Sequence, residues 1–267
     1  MLNKSNALNH FRKYGRAPYM TVMLHGGPGA PGSMQQPAMV LSSKVGILEP
    51  LLNRTSIEEQ IEELHEIIAL QANTPVKLVG HSWGAWLAWI FAACYPLITE
   101  KIILIGAGSF IEQYNVNLTQ IRLSRLPENE NCEAMILTAL INRGEASVSD
   151  FRRFGELMSR ADSYDCEEGI RESLKFYPEV YNSVWHEAEK LRKKGELLVL
   201  GEKIRCPVIA IHGLDDPHPA EGVEKPLRKI MHDFRFIGLE KCGHYPWKEK
   251  YAKTRFYEIM ENELKGL

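Results

Sequence analysis

Ser82 is the residue of this chain whose surroundings point most directly to chemistry. The segment from Gly80 to Gly84 reads G-H-S-W-G, after an apolar stretch and before a helical pattern. A serine hydroxyl is a poor nucleophile unless the chain exposes it and a neighbouring base removes its proton. A sharp strand-to-helix turn provides the exposure, and the flanking glycines permit that turn. The serine N–H then lies at a helix N-terminus, which favours developing negative charge. The pattern predicts a serine nucleophile.

A glycine-rich segment offers the backbone donors that acyl transfer needs. His25 to Gly29 reads H-G-G-P-G and directly follows an apolar strand pattern. Acyl transfer requires N–H groups aimed at the oxyanion that forms on the attacked carbonyl, and a glycine-rich turn brings main chain close enough to donate. We predict Gly27 and Trp83 as the donors, with Gly26 as the alternative donor.

An acid and a base follow the serine in the chain. The run G-L-D-D-P at 213–217 ends a strand pattern, and a carboxylate there would fix the tautomer of a catalytic imidazole. Asp216 is favoured for this role, and Asp215 is interpreted as a turn or capping residue. His244, in C-G-H-Y-P at 242–246, is the candidate base, and the order Ser, Asp, His is typical of one hydrolase architecture. Three other histidines are interpreted as packing or pocket residues: His25, His81 and His218.

Composition limits the classes of partner. The chain is 45% hydrophobic and 25% charged, which is ordinary for a soluble globular protein. Its 267 residues are too few for two full average domains. A net charge of −2 gives no electrostatic reason to expect binding to nucleic acid or to an anionic membrane. The five cysteines are scattered without a C-x-x-C pair, and no secretory or membrane-spanning apolar run stands out. We expect a cytoplasmic protein with a small-molecule substrate, no metal and no cofactor, and we leave the oligomeric state open.

The elements that must position these residues alternate between strands and helices. Six short, nearly continuous apolar runs predict strands buried on both faces of a parallel sheet. They are Thr21–Leu24, Val45–Leu48, Val76–Val79, Ile102–Ile105, Val208–Ile211 and Phe234–Ile237. Helical patterns lie between them, including one that begins with a capping box at Ser56 and an almost wholly apolar one from Trp83 to Tyr95. The expected fold is doubly wound α/β, with a mostly parallel sheet of about six strands flanked by helices.

One interval breaks the alternation. About a hundred residues separate the strand ending at Ile105 from the one starting at Val208, far more than an ordinary crossover needs. Helical patterns fill the interval near 112–126, 131–143, 148–160, 166–175 and 178–194. We predict a core formed by 1–106 and 200–267 and an inserted helical cap at 107–199 over the strand ends, where ligands bind in open α/β sheets. The substrate-binding residues stay undetermined, with aromatic cap residues and Trp83 as candidates.

The chain resembles the α/β-hydrolase superfamily over essentially its whole length. The matching segments are H-G-G-P-G at 25–29, G-H-S-W-G at 80–84, G-L-D-D-P at 213–217 and G-H at 243–244. The first of these, together with Trp83, looks like the proline-iminopeptidase group, and the resemblance implies Ser82, Asp216 and His244 as a triad. Two features depart from that group. The segment 48–55 reads L-E-P-L-L-N-R-T where the group has a D-Q-R-G-type segment, and only 24 residues precede His25.

We therefore expect a serine hydrolase that cleaves an ester or amide bond of a small substrate through an acyl-enzyme. A proline-iminopeptidase-like aminopeptidase is the alternative, and an inward-facing cap glutamate could hold the substrate ammonium that this activity requires. A lyase or cofactor-free enzyme on the same fold, which would use the triad for proton transfer, is a further alternative.

Overall fold

The computed structural model describes residues 10–115, 117–167 and 176–265. Seven strands form one sheet: β1 (Phe11–Tyr14), β2 (Tyr19–Leu24), β3 (Gly46–Pro50), β4 (Val76–His81), β5 (Thr99–Ile105), β6 (Val208–Gly213) and β7 (Phe234–Leu239). Their order across the sheet is β1-β3-β2-β4-β5-β6-β7. β1 pairs antiparallel with β3, whereas every other neighbouring pair runs parallel. The prediction of a mostly parallel sheet is confirmed, and each of the six predicted runs overlaps one of the strands β2 to β7.

β1 is the strand that the sequence pattern missed. Its residues read F-R-K-Y and are half-buried or exposed. It has a neighbour on one side only, because it lies at the edge of the sheet. Charged side chains on an edge strand discourage pairing with other chains, and in β1 Arg12 and Lys13 interrupt the apolar run that marks a central parallel strand.

Helices cover both faces of the sheet. The described α-helices are α1 (Gln35–Leu41), α2 (Ile57–Gln71), α3 (Trp83–Cys94), α4 (Leu118–Ser124), α5 (Glu128–Asn142), α6 (Val148–Ala161), α7 (Pro178–Lys193), α8 (Glu196–Val199), α9 (Glu221–Ile230) and α10 (Lys253–Leu264). Side chains alternate between the two faces of a strand. Val22 and Leu24 of β2 therefore belong to the apolar core with α2, α3 and α9, while Met23 belongs to the core with α1 and α10.

α3 is the most deeply enclosed helix. Every residue from Trp83 to Ala93 is buried, and the indole N–H of Trp89 donates to Leu197 O over 2.8 Å. The helix has 12 residues, and no helix of the described chain is both long and apolar enough to cross a membrane. Close packing on all sides of α3 fixes the position of the residue at its N-terminus.

The long interval between β5 and β6 contains α4 to α8, and part of it has an apolar cluster of its own. Leu126, Ala134, Leu137, Leu157 and Ala161 form this cluster. The predicted helix near 112–126 is instead a 3₁₀ turn at Glu112–Tyr114 followed by α4. Of the predicted helix near 166–175, residues 168–175 lie outside the described part of the chain. The division into a core and a cap at 107–199 stays a prediction.

Candidate active site

Ser82 stands at the turn between β4 and α3 in a strained backbone conformation. Its φ is 53° and its ψ is −115°, a region that side-chain-bearing residues seldom adopt. A Cβ on Gly80 would overlap the carbonyl oxygen of Gly84, and a Cβ on Gly84 would overlap that of Leu24. Both glycines are therefore required by the close approach of β2, β4 and α3. The turn holds Ser82 between strand and helix, half-buried rather than enclosed.

Asp216 and His244 form a short, buried hydrogen bond. Nδ1 of His244 donates to Oδ2 of Asp216 over 2.7 Å, and both residues are buried. Burial would raise the pKa of Asp216, but the imidazoles of His244 and His218 hold it well below the ordinary carboxyl value. Burial also disfavours a charged imidazole, yet the Asp216 carboxylate raises the pKa of His244 above its ordinary value. With Nδ1 donating, Nε2 is the nitrogen of the neutral ring that can accept a proton.

Asp215 lies in the turn beside Asp216, and its side chain bonds to the backbone of Cys242 rather than to His244. Its N–H donates to Cys242 O over 2.9 Å, and its Oδ2 accepts from the N–H of Cys242 over 3.3 Å. These bonds join the loop after β6 to the loop after β7. Their effect is to bring the two loops together at the point where Asp216 meets His244.

Ser82 and His244 each approach the end of β5. The N–H of Ser82 donates to Ile105 O over 2.9 Å, and a Cβ on the next residue, Gly106, would lie 3.1 Å from Nδ1 of His244. On the other side, a Cβ on Gly26 would lie 3.3 Å from the Cβ of Ser82. Loops that follow β2, β4, β5 and β7 therefore converge on one place at the carboxyl ends of the strands.

The structure of the glycine-rich loop bears on the choice between Gly27 and its alternative, Gly26, as an oxyanion donor. The N–H of Gly26 donates to Oγ of Ser33 over 3.1 Å, so this amide is already engaged. Gly27 follows with a φ of +63°. Trp83 is the first residue of α3, and the first N–H groups of a helix have no partner within it. This arrangement favours Gly27 over Gly26 as the partner of Trp83.

His81 supports the candidate base through its backbone. Its Nε2 donates to the carbonyl oxygen of His244 over 3.0 Å, and its buried Nδ1 has no hydrogen-bond partner among the described residues. Burial lowers the pKa of His81 well below its ordinary value. A neutral ring with the proton on Nε2 is the form that this hydrogen bond requires, because a carbonyl oxygen only accepts.

His218 contacts the acid directly, which is a more specific role than the packing or pocket residue that the sequence suggested. Its ring Nδ1 and its backbone N–H each lie 2.9 Å from Oδ1 of Asp216. Its ring stacks on that of His244 with the centroids 4.6 Å apart. The signal available in the sequence was its position two residues after the acid, since Asp side chains commonly bond to the backbone two residues on.

Residues between β5 and β6 also reach the site. Nε and Nη2 of Arg122, in α4, donate to the two carboxylate oxygens of Asp162 over 2.6 Å each. Nη2 lies 3.5 Å from Nε2 of His218. The carbonyl oxygen of Asp162, at the end of α6, accepts from the N–H of His244 over 2.8 Å. Nothing in the local sequence marked either residue, because they meet only through tertiary folding.

A buried carboxylate fastens this segment to the loop of the candidate base. Glu249 is fully buried, and its oxygens accept from the N–H groups of Tyr164, Asp165 and Gly243 over 2.8, 2.8 and 2.9 Å. The three bonds link the chain after α6 to the residue that precedes His244. Burial of an ionised group without such partners would be costly.

Aromatic side chains continue from α3 into the helices above it. Trp86 stacks on Trp185 with the ring centroids 6.0 Å apart, and Trp185 stacks on Tyr181 at 6.3 Å. The N-terminus of α7 also contacts the glycine-rich loop, where the N–H of Tyr177 donates to Gly29 O over 2.8 Å. These contacts give the site an apolar surround.

One group of potential metal ligands lies here among the described residues. Donor atoms of Asp162, His218 and His244 lie within 4.8 Å of one another. The Asp162 carboxylate already binds the guanidinium of Arg122, and Nδ1 of His244 is engaged by Asp216. A metal ion at this position would have to share the space with a permanent cation, so the donor set does not suit one.

Comparisons with known proteins agree with the observed fold. A model of the Alpha/beta hydrolase family matches residues 22–254. The chain is 24% identical over 284 residues to proline iminopeptidase of Lactobacillus crispatus, covering 90% of this chain and 89% of that protein. It is 24% identical over 267 residues to the 2-hydroxy-6-oxononadienedioate/2-hydroxy-6-oxononatrienedioate hydrolase of Paraburkholderia xenovorans, covering 91% and 86%. The solved structure of an alpha/beta fold family hydrolase from Bacillus anthracis superposes with a TM-score of 0.68 at 16% identity, covering 95% and 94%.

Proposed function

The chain belongs to the alpha/beta hydrolase family, and we propose that it is a serine hydrolase that cleaves an ester or amide bond of a small substrate. The observation that carries the proposal is the 2.7 Å bond between Nδ1 of His244 and Oδ2 of Asp216, beside a serine whose φ is 53°. A nucleophile on a strained turn and a base oriented by a buried acid are the parts that acyl transfer needs.

The proposed reaction has two halves. Oγ of Ser82 attacks the carbonyl carbon while Nε2 of His244 takes its proton, and the N–H groups of Gly27 and Trp83 donate to the oxyanion. The bond to the leaving group then breaks, and His244 returns the proton to it. Water attacks the acyl-enzyme with His244 again as base, which releases the acid and restores Ser82.

The state of the buried acids between β5 and β6 favours an uncharged acyl group over an aminoacyl one. An aminopeptidase must hold a substrate ammonium, for which an unpaired carboxylate is the natural partner. Of the described residues in 107–199, the buried acids are Glu130 and Asp162. Each is bonded to an arginine, Glu130 to Arg160 and Asp162 to Arg122. The proline-iminopeptidase-like alternative is still supported by the similarity to proline iminopeptidase of Lactobacillus crispatus and by the H-G-G-P-G segment.

Covalent labelling tests the nucleophile. A fluorophosphonate should modify the wild type at Ser82, as located by peptide mapping, and Ser82→Ala should lose both labelling and turnover while remaining folded. Ser109→Ala is the matched control, because Ser109 is a buried serine in the neighbouring loop whose Oγ bonds to Tyr114 O. Labelling at another serine, or full activity of Ser82→Ala, would refute the proposal.

A substrate panel separates the alternatives. Nitrophenyl esters of several chain lengths should be cleaved faster than aminoacyl and prolyl naphthylamides. Preference for the prolyl amides would establish the aminopeptidase alternative instead. Activity that needs His244 without any covalent serine adduct would point to the lyase-type alternative, in which the triad only moves protons.

A further inference from the structure

Two imidazoles, not one, hold the Asp216 carboxylate. Oδ2 accepts from Nδ1 of His244 over 2.7 Å, whereas Oδ1 accepts from both the ring Nδ1 and the backbone N–H of His218. The two rings stack with their centroids 4.6 Å apart. A proton that arrives beside Asp216 therefore has two rings that could accept it, and the proposed reaction needs it on His244.

Arg122 breaks that symmetry. Its Nη2 lies 3.5 Å from Nε2 of His218. A guanidinium carries only donors, so His218 must present a lone pair at Nε2 and keep its single proton on Nδ1 for Asp216. A second proton on His218 would place an N–H against a permanent cation. Burial is the largest cause that lowers the pKa of His218, Asp216 opposes it, and His244 and then Arg122 lower the pKa further.

We propose that His218 is a positioning residue, held neutral by Arg122 of α4, which fixes Asp216 so that His244 alone takes the proton from Ser82. This inference rests on the proposed function. It makes α4 part of the support of the catalytic base. A proton on His218 would inhibit the reaction, because the imidazolium that forms on His244 in the transition state would then meet a second stacked cation.

Among the described residues, the charged and titratable groups that face His218 come from five places. Asp216 shares its loop, and His244 lies on the loop after β7. Arg122 comes from α4 and Asp162 from the end of α6, with its carboxylate within 4.8 Å of the donor atoms of both rings. His212 of β6 bonds through Nε2 to the carbonyl oxygen of His218 over 2.9 Å.

The test replaces the ion pair without changing the net charge. Arg122→Met combined with Asp162→Asn removes the cation above His218 and leaves no buried carboxylate unpaired. In the wild type, the acid limb of kcat/KM against pH should fall with the slope of a single proton. In the paired variant, His218 should also become protonated in the measured range, and the slope should approach two protons. Adding His218→Asn, which removes the ring that titrates, should restore the single-proton slope.

Arg125→Met is the matched control. Arg125 follows α4 and bonds to Ala161 O over 3.2 Å, so it packs in the same region without a bond to His218. It should keep the single-proton limb. A single-proton limb in the paired variant, or a two-proton limb that survives His218→Asn, would overturn the inference, because loss of structure alone would move neither slope in this way.

A histidine titration by NMR distinguishes failure of this inference from failure of the proposed function. Folded wild-type protein should have His218 neutral at a pH where the paired variant has it protonated, and this holds whether or not turnover is seen. If Ser82 proves not to be the nucleophile but the His218 titration moves as expected, only the proposed function fails. If Ser82 is labelled and His218 titrates identically in both proteins, only the inference fails.

Discussion

The N–H of His244 donates to the carbonyl oxygen of Asp162 over 2.8 Å. His244 follows the last strand of the sheet, while Asp162 belongs to the helical interval between β5 and β6. The backbone of the candidate base is thus held by a part of the chain that is remote in sequence. Substitutions near Asp162 should therefore alter the position of His244.

Asp216→Asn should reduce kcat by about 10⁴-fold in a protein that remains folded. An asparagine can turn its NH₂ toward Nδ1 of His244, which stabilises the tautomer that cannot act as base at Nε2. Steady-state kinetics with a nitrophenyl ester measures the loss. Asp215→Asn is the control, because that side chain bonds to Cys242 N rather than to an imidazole, and it should stay close to wild type. Equal losses in the two variants would contradict the choice of Asp216.

Ser33→Ala should weaken the glycine-rich loop. The N–H of Gly26 would lose its acceptor and be left buried, which costs about 1–3 kcal/mol of stability. The next amide, Gly27, would be held less firmly, and we expect kcat to fall roughly tenfold while KM changes little. Ser43→Ala serves for comparison, since its exposed hydroxyl bonds to Val40 O, away from this loop. An unchanged kcat in Ser33→Ala would separate this loop from the oxyanion.

Glu249→Gln should destabilise the fold and lower activity together. Three backbone N–H groups point at this buried carboxylate, and the NH₂ of glutamine would face one of them, so we expect a loss of about 2–4 kcal/mol in the free energy of unfolding. Urea denaturation measures the loss. Glu240→Gln, at an exposed position, should leave the free energy of unfolding almost unchanged. A similarly small effect at Glu249 would mean that the bonds contribute nothing net.

The free energy of unfolding should decrease as the pH falls below about 6.5, the ordinary histidine value. Burial lowers the pKa of His25, His81 and His218. The unfolded chain therefore binds protons that the folded chain does not, and acid favours unfolding. His244 acts in the opposite direction, because its raised pKa gives stability that is present at low pH and lost as the pH rises through the folded pKa. The lowered pKa of Asp216 adds a further loss at more acidic pH, as the pH falls through its folded value.

Denaturation at a series of pH values measures this slope. His81→Gln should make it shallower, because glutamine can donate to His244 O from a similar position and does not titrate. His232→Gln, at an exposed position, should leave the slope unchanged. A wild-type stability that rises on acidification would contradict the assignment of neutral buried histidines.

The parts of the fold that could be predicted are those in which the pattern is local. Strands buried on both faces read as continuous apolar runs, and the α3 run is apolar on every side, so β2 to β6 and α3 follow from the sequence. β7 is a largely half-buried edge strand, and it could be predicted because Phe234, Phe236 and Ile237 still give it an apolar run. β1 could not be predicted in this way, since its charged edge residues match no buried strand. The short 3₁₀ turn before α4 was also missed, because boundaries of short helices depend on contacts with the rest of the chain.

The same distinction applies to the site. Ser82, Asp216 and His244 each follow a strand in a short recognisable segment, and the carboxyl ends of parallel strands meet at one edge of the sheet. Arg122 and Asp162 belong to helices without such a constraint, and their bidentate contact is a product of tertiary packing. His218 was visible in the sequence, yet only the geometry separates a ring that bonds to the acid from one that fills space.

The bond between Asp162 O and His244 N also bears on engineering. Exchanging the predicted cap at 107–199 for the equivalent segment of another protein would delete Asp162 together with the partners of Glu249 at Tyr164 and Asp165. The chimera would then lose backbone contacts that hold the loop of the candidate base. A working chimera must therefore retain 162–167 from this chain and place its junctions outside that stretch.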